Sequence, residues 1–154
     1  VTTTLTLAEL EESAGRELGT SDWHEITQEQ INRFAEATGD HQWIHVDPDA
    51  AADGPFGTTV AHGYLTLSML PMLLSEVVSV SDAVMGVNYG TEKIRFTSPV
   101  PSGSRVRLHA TLVGAERRGP SVVWTVGVQV EIEGKEKPAL VGEVVYMAAG
   151  APDA

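Results

Sequence analysis

The run HGYLTLSMLPMLLSEVV, residues 62–78, would place apolar side chains on almost every side of a helix. A helix that is apolar nearly all round is buried inside a protein. Pro71 interrupts the run, and a proline within a helix removes one backbone donor and kinks the chain. These residues therefore predict a long, kinked helix that is buried on all sides.

The chain after this run changes to a period of two, which is typical of β-strands with one drier face. Residues 105–113 alternate in this way, and residues 122–133 repeat the pattern over a longer stretch. Residues 89–100 and 139–148 predict two more strands, and an early strand is expected to join them. The simplest architecture is α+β, with an antiparallel sheet wrapped around the long central helix.

Short helices and loops are predicted for the first third of the chain. Thr27 precedes Gln30 by three residues, a capping-box spacing that marks a helix start, and Gly39 suits the end of that helix. Asp47 before Pro48 predicts a second start. Because a glycine ends one helix and a proline disfavours helix in the residue before it, the intervening loop is expected to be non-helical.

Composition limits the class of protein. The 154 residues fit one domain, which we expect to span residues 1–147, with 148–154 as a flexible tail. Without cysteine the chain can form neither a disulfide nor a Cys-ligated metal site. The net charge of -11 argues against a nucleic-acid partner, because phosphate binding needs a basic face.

No membrane association is predicted. The longest apolar stretch, residues 65–80, contains too many polar residues to span a bilayer. The first residues lack a basic region followed by an apolar run, so we expect no secretory signal and a cytoplasmic location.

The loop ATGDHQWIHVDPDAA, residues 37–51, carries candidate catalytic groups. Asp40 and His45 lie five residues apart, and the loop between them can fold both side chains toward one point. Trp43 and Ile44 are expected to anchor the loop by burial. A carboxylate beside an imidazole forms an acid–base pair. The structural alternative is that Asp40 caps a turn and His45 is a surface or satisfied core residue.

A metal site is a weaker interpretation of the same loop. His41 and His45 have the helical zinc spacing, but this segment is not predicted to be helical. The neighbouring aspartates lack the glycine and closing glutamate of a calcium loop. We therefore predict no metal.

Gly63 begins the predicted central helix, where backbone N–H groups have no partner within the helix. A glycine there lets a substrate oxygen approach the backbone closely, and these donors would stabilise developing negative charge. The alternative is that Gly63 only lets the chain turn into the helix. His62 is a candidate cap residue, and a helical serine such as Ser68 commonly bonds its own backbone.

Three segments together resemble the MaoC-like dehydratases, the (R)-specific enoyl-CoA hydratases of hydratase-2 type. They are FAEATGDHQWIHVDPDAA, TTVAHGYLTLSMLPML and KIRFTSPVPSGSRVR, and the resemblance runs from about Ile26 to Val113. It implies a single hot-dog domain in which Asp40 and His45 are the catalytic pair. It also implies that the Gly63 N–H contacts the thioester oxygen and that Ser68 lies near Asp40.

The resemblance departs from the family pattern within the catalytic loop. The family usually has Asn and then Pro where this chain has Gln42 and Trp43. Gln42 is expected to keep an amide donor near the substrate.

The implied activity is reversible addition of water to a trans-2-enoyl thioester, which yields a (3R)-hydroxyacyl thioester in fatty-acid metabolism. Coenzyme A is part of the substrate, and no metal or organic cofactor is needed. The family also implies a homodimer formed by joining sheets, with CoA at the seam. Candidates for contacts with its phosphates are Lys93, Arg95, Arg105, Arg107, Arg117 and Arg118, but most basic residues on strands are solvated, so none is assigned as a site. Alternatives are an acyl-CoA thioesterase and a catalytically silent acyl-thioester-binding hot-dog protein.

Overall fold

A computed structural model describes residues 2–152. In chain order, its strands and helices are β1 (Thr3–Leu5), α1 (Leu7–Glu12), β2 (Glu17–Thr20), β3 (His24–Glu25), α2 (Gln28–Thr38), α3 (Trp43–Val46), α4 (Pro48–Ala52), α5 (Gly63–Ser68), α6 (Leu70–Ser75), β4 (Val78–Val80), β5 (Met85–Phe96), β6 (Arg105–Arg118), β7 (Ser121–Ile132) and β8 (Leu140–Ala149). Within the described residues, no helix is long and apolar enough to cross a membrane.

The main sheet is antiparallel and has the strand order β2-β6-β7-β8-β5, with β3 also paired to β6. The first strand, β1, instead pairs in parallel with β4 in a small separate sheet. The predicted alternation is confirmed, because the apolar face of β6 is buried and so is that of β7. An early strand also joins the sheet as expected. The chain therefore has the α+β hot-dog architecture, with α5 and α6 packed on the sheet.

The central helix differs from its prediction in two ways. It is divided at Met69 into α5 and α6, since Pro71 has no N–H to donate to the preceding turn. It is also not buried on every side: Leu70 and Leu73 lie in the core, whereas Tyr64 is 67% exposed and Met72 is 43% exposed. The prediction of a helix buried all round was therefore wrong, and one face of it is open in the single chain.

The helix caps of the first third agree with the sequence. The Thr27 hydroxyl accepts a bond from the Gln30 N–H at 3.1 Å, and Gly39 ends α2 in the left-handed conformation with φ 83°. The Asp47 carboxylate accepts from the Ala50 N–H at 3.1 Å at the start of α4. The Gln30 side chain, however, reaches the Met69 sulfur instead of returning to Thr27, so only half of a capping box forms.

Two predicted boundaries need correction. The loop before Asp47 was predicted to be non-helical, but it contains the single helical turn α3, in which the Trp43 carbonyl accepts from the Asp47 N–H at 3.1 Å. The predicted tail, residues 148–154, begins too early. Ala148 is buried between Gly86 and Val122 on the flanking strands, and β8 continues to Ala149. Residues 153–154 of that tail lie outside the described residues.

Candidate active site

The His45 imidazole is buried inside a loop that is mostly exposed, with 8% of the residue exposed. Its Nδ1–H donates to the Val60 carbonyl at 2.7 Å. A carbonyl can only accept, so the proton of the neutral ring lies on Nδ1 and the lone pair lies on Nε2. The tautomer of His45 is therefore the one required of a base that acts through Nε2.

Backbone and amide bonds fix the turn that carries His45. The Val60 N–H donates to the Ile44 carbonyl at 3.0 Å, and the Gln28 side chain donates to the His45 carbonyl at 2.8 Å. Trp43 was predicted to anchor the loop but is 44% exposed, whereas Ile44 is half-buried. The Trp43 ring packs against Gly54, so it anchors the loop only in part, and hydrogen bonds to α2 and Val60 also position the turn.

Asp40 lies at the other end of this loop, immediately after Gly39, and is exposed. Its carboxylate Oδ1 accepts a long bond of 3.4 Å from the Gln42 N–H. Ligating side-chain atoms of Asp40, His45 and His62 all lie within 4.8 Å of one another. The structure therefore brings together the two residues that the sequence named as an acid–base pair.

His62 is the third member of this cluster, and it was considered from the sequence only as a helix cap. It does precede α5, but its side chain makes no capping bond there. Its Nε2–H instead donates to the backbone carbonyl of Asp40 at 3.0 Å, and its ring stacks on His45 with centroids 3.9 Å apart. No spacing signal could reveal this contact, because 22 residues separate the two bonded partners.

Metal binding is the alternative use of the same three residues. Both histidines donate one ring N–H to a backbone carbonyl, which is common for metal ligands. However, the two rings are stacked with only 23° between their planes. Lone pairs lie in the ring planes, and two planes stacked 3.9 Å apart at this small angle differ from the arrangement of tetrahedral ligands around one ion. The geometry favours proton transfer over metal binding.

Gly63 is the first residue of α5, and its N–H has no acceptor within the helix. The ring of Phe96, the last residue of β5, packs directly against it: a Cβ added to Gly63 would lie 2.6 Å from that ring. Only glycine allows this contact, which supports a structural need for Gly63. Its predicted role as an oxyanion donor is compatible with this need.

Gln42 and Ser68 do not belong to the cluster of Asp40, His45 and His62. The Gln42 side chain is exposed, and its contribution to the loop comes from its backbone N–H and carbonyl. The Ser68 hydroxyl donates to the Tyr64 carbonyl of its own helix at 2.7 Å, as the structural alternative predicted. A substrate contact for either residue stays a prediction.

An apolar groove runs between the open face of the central helix and strands β5 and β8. It consists of two neighbouring cavities of about 270 and 410 Å³ that share Pro71, Asn88 and Tyr146. Burial raises the pKa of the Tyr146 phenol to about 12, so this group is neutral at physiological pH. Among the described residues that line the groove, none is acidic or basic, which suits an acyl chain or a second apolar surface.

Comparison with known proteins gave consistent matches. The family model described as MaoC like domain matches residues 9–133. The chain is 54% identical over 140 residues to 3-hydroxyacyl-thioester dehydratase Z of Mycobacterium tuberculosis, covering 90% of this chain and 93% of that protein. It is 48% identical over 139 residues to nodulation protein N of Rhizobium leguminosarum, covering 88% and 86%. The R-hydratase PhaJ1 from Pseudomonas aeruginosa has a TM-score of 0.72 at 24% identity, covering 96% of this chain and 87% of that one.

Proposed function

Because the chain belongs to the MaoC-like dehydratase family, and is a hydro-lyase of the hydratase/dehydratase type, we propose that Asp40 and His45 are its catalytic acid–base pair. One observation carries this proposal: His45 presents the Nε2 lone pair within a cluster that also contains the Asp40 carboxylate. The substrate we propose is a trans-2-enoyl thioester or, in the reverse direction, a 3-hydroxyacyl thioester. The relative named 3-hydroxyacyl-thioester dehydratase supports this substrate class.

In the proposed hydration, Asp40 and His45 hold one water molecule by hydrogen bonds. The pair takes a proton from the water while its oxygen bonds to the β-carbon, and the C=C electrons move toward the thioester carbonyl. The pair then returns a proton to the α-carbon, so that one water is added in total. The thioester itself acidifies the α-carbon, and the proposal therefore includes no metal or organic cofactor.

Gly63 is the proposed donor to the thioester oxygen. Negative charge develops on that oxygen as the β-carbon is attacked, and a fixed backbone N–H at a helix start stabilises it. The donor belongs to the residue that follows His62, and His62 contacts the Asp40 main chain and the His45 ring. The proposed oxyanion donor and the acid–base pair thus lie on adjoining segments. We propose the (3R) product from the family resemblance.

The carrier we propose is coenzyme A. Four of the six basic residues considered for its phosphates are already paired with carboxylates: Arg105, Arg107, Arg117 and Arg118. Within residues 2–152, no ion pair involves Lys93 or Arg95, so these two are the proposed phosphate contacts. The net charge of -11 disfavours an acidic carrier protein as the partner. A cytoplasmic location remains part of the proposal.

We also propose a homodimer joined along β5. This strand is twelve residues long, lies at the edge of the sheet and is exposed over most of its length. A long open edge with exposed Tyr89 and Phe96 is normally covered in a native protein. Sedimentation equilibrium is expected to give twice the mass of the chain. A mass equal to one chain would contradict the dimer.

The activity is tested by mixing the purified protein with crotonyl-CoA and following loss of the conjugated enoyl absorbance. We expect the absorbance to fall without release of free thiol, which a thiol reagent reports. Release of CoA thiol would indicate the thioesterase alternative. No change with crotonyl-CoA and with longer enoyl-CoAs would contradict the proposed substrate class.

Gly63→Ala is expected to lower kcat by about 10²-fold, because the added methyl group must displace the Phe96 ring or the helix start, and with it the donor. The measurement is steady-state hydration of crotonyl-CoA. The matched control is the double variant Gly63→Ala/Phe96→Ala, which has room for the methyl group and should regain part of the lost rate, although it lacks the ring that packs beside the donor. Equal losses in the single and double variants would contradict this steric explanation.

A further inference from the structure

We propose that His62 is a positioning residue that holds Asp40 and His45 in their reactive arrangement. This inference rests on the proposed function for those two residues, and it adds a group that lies outside the loop carrying them. His62 reaches both partners at once: one through a hydrogen bond and the other through ring stacking.

Asp40 needs such a support because its own loop holds it weakly. The residue is exposed and follows a left-handed glycine, and within residues 2–152 its carboxylate accepts only the long 3.4 Å bond from the Gln42 N–H. The bond from His62 Nε2–H to the Asp40 carbonyl is shorter, at 3.0 Å, and its donor ring is almost fully buried at 2% exposure. The buried imidazole thereby fixes the main chain from which the catalytic carboxylate extends.

His45 is supported on a different side. Its ring edge is fixed by the bond from Nδ1–H to the Val60 carbonyl, and its face is covered by the His62 ring at 3.9 Å. The His62 ring is itself supported by Phe34, with ring centroids 4.8 Å apart. Phe34, His62 and His45 thus form a series of packed rings that leads from α2 to the catalytic loop and restricts rotation of the catalytic imidazole.

The unpartnered nitrogen of His62 argues against a purely space-filling role. With the proton on Nε2, the Nδ1 atom carries a lone pair, and this atom is buried without a partner among the described residues. Burying an unpaired polar atom is unfavourable, and an apolar side chain would fill the same space at lower cost. The bond to the Asp40 carbonyl, which an apolar ring cannot donate, therefore supports a positioning role for the imidazole.

Two substitutions separate the hydrogen bond from the packing. His62→Phe keeps a ring against His45 but has no donor, whereas His62→Gln keeps an amide donor near the position of Nε2 but has no ring. Misplacement of a catalytic group by about 1 Å can cost about 10²-fold in rate, so we expect His62→Phe to lower kcat by roughly 10- to 100-fold with little change in KM. We expect His62→Gln to restore part of that loss, because it regains the bond to Asp40 but not the ring that stacks on His45.

The experiment is steady-state hydration of crotonyl-CoA by the full chain, with melting temperatures measured for each variant. A wild-type kcat for folded His62→Phe would overturn the proposal, and so would His62→Gln that is folded but no more active than His62→Phe. Should His62→Phe not fold, His62→Leu replaces it, since it lacks the donor as well. Failure of the proposed function is distinct, because the wild-type chain itself would then not hydrate the substrate.

Discussion

Asp40→Asn is expected to lower the rate of enoyl-CoA hydration by about 10²–10⁴-fold, the range typical of a lost general acid–base group. Asparagine has nearly the same shape as aspartate, and its oxygen can still accept the bond from the Gln42 N–H. It cannot take a proton from water. Because Asp40 is exposed, the variant should fold normally, so the loss will fall on kcat and not on the amount of folded enzyme.

The matched control for this variant is Asp49→Asn. Asp49 is an exposed carboxylate in the first turn of α4, nine positions further along the same region, and it is not a member of the cluster. The control removes the same charge and should keep the wild-type rate. A folded Asp40→Asn enzyme with near-normal turnover would contradict the proposed mechanism.

His45→Asn should cause a loss of similar size, about 10²–10⁴-fold, for a different atomic reason. The asparagine amide lies near the position of Nδ1, so it can still donate to the Val60 carbonyl and keep the loop in place. It has no atom equivalent to Nε2, which is the proposed base. Crotonyl-CoA hydration and thermal denaturation, measured together, should show low activity with a melting temperature close to that of the wild type.

His41→Asn is the control, because His41 is an exposed histidine in the same loop and should be dispensable. A second variant, His45→Gln, places its amide nearer Nε2 and leaves the buried Val60 carbonyl without its donor. It should therefore also lose about 1–3 kcal/mol of stability. Wild-type turnover by His45→Asn would show that Nε2 of His45 is not the base.

Local patterns in the sequence predicted much of this structure. The alternation in β6 and β7 identified the buried face of each strand, since period two is a property of the strand itself. The caps at Thr27 and Asp47 were equally accessible because each bond spans three residues. Asp40 and His45 share one short loop, so their proximity followed from the loop alone.

Features that depend on distant contacts were not accessible in this way. The exposure of one face of the central helix depends on which strands pack against it. The hydropathy of residues 62–78 cannot predict that packing. The partial exposure of Trp43 depends on its packing against Gly54, a residue that lies beyond the loop. The role of His62 depends on a contact with Asp40 that only the folded chain creates.

The contact between Gly63 and Phe96 ties the state of assembly to the chemistry. Phe96 ends β5, the strand along which we propose that two copies join, and its ring fixes the space beside the proposed oxyanion donor. Separation of the subunits would release this strand end and loosen the donor. If both proposals hold, we expect the enzyme to lose specific activity on dilution below its dimer dissociation constant, so that its own concentration would control its rate.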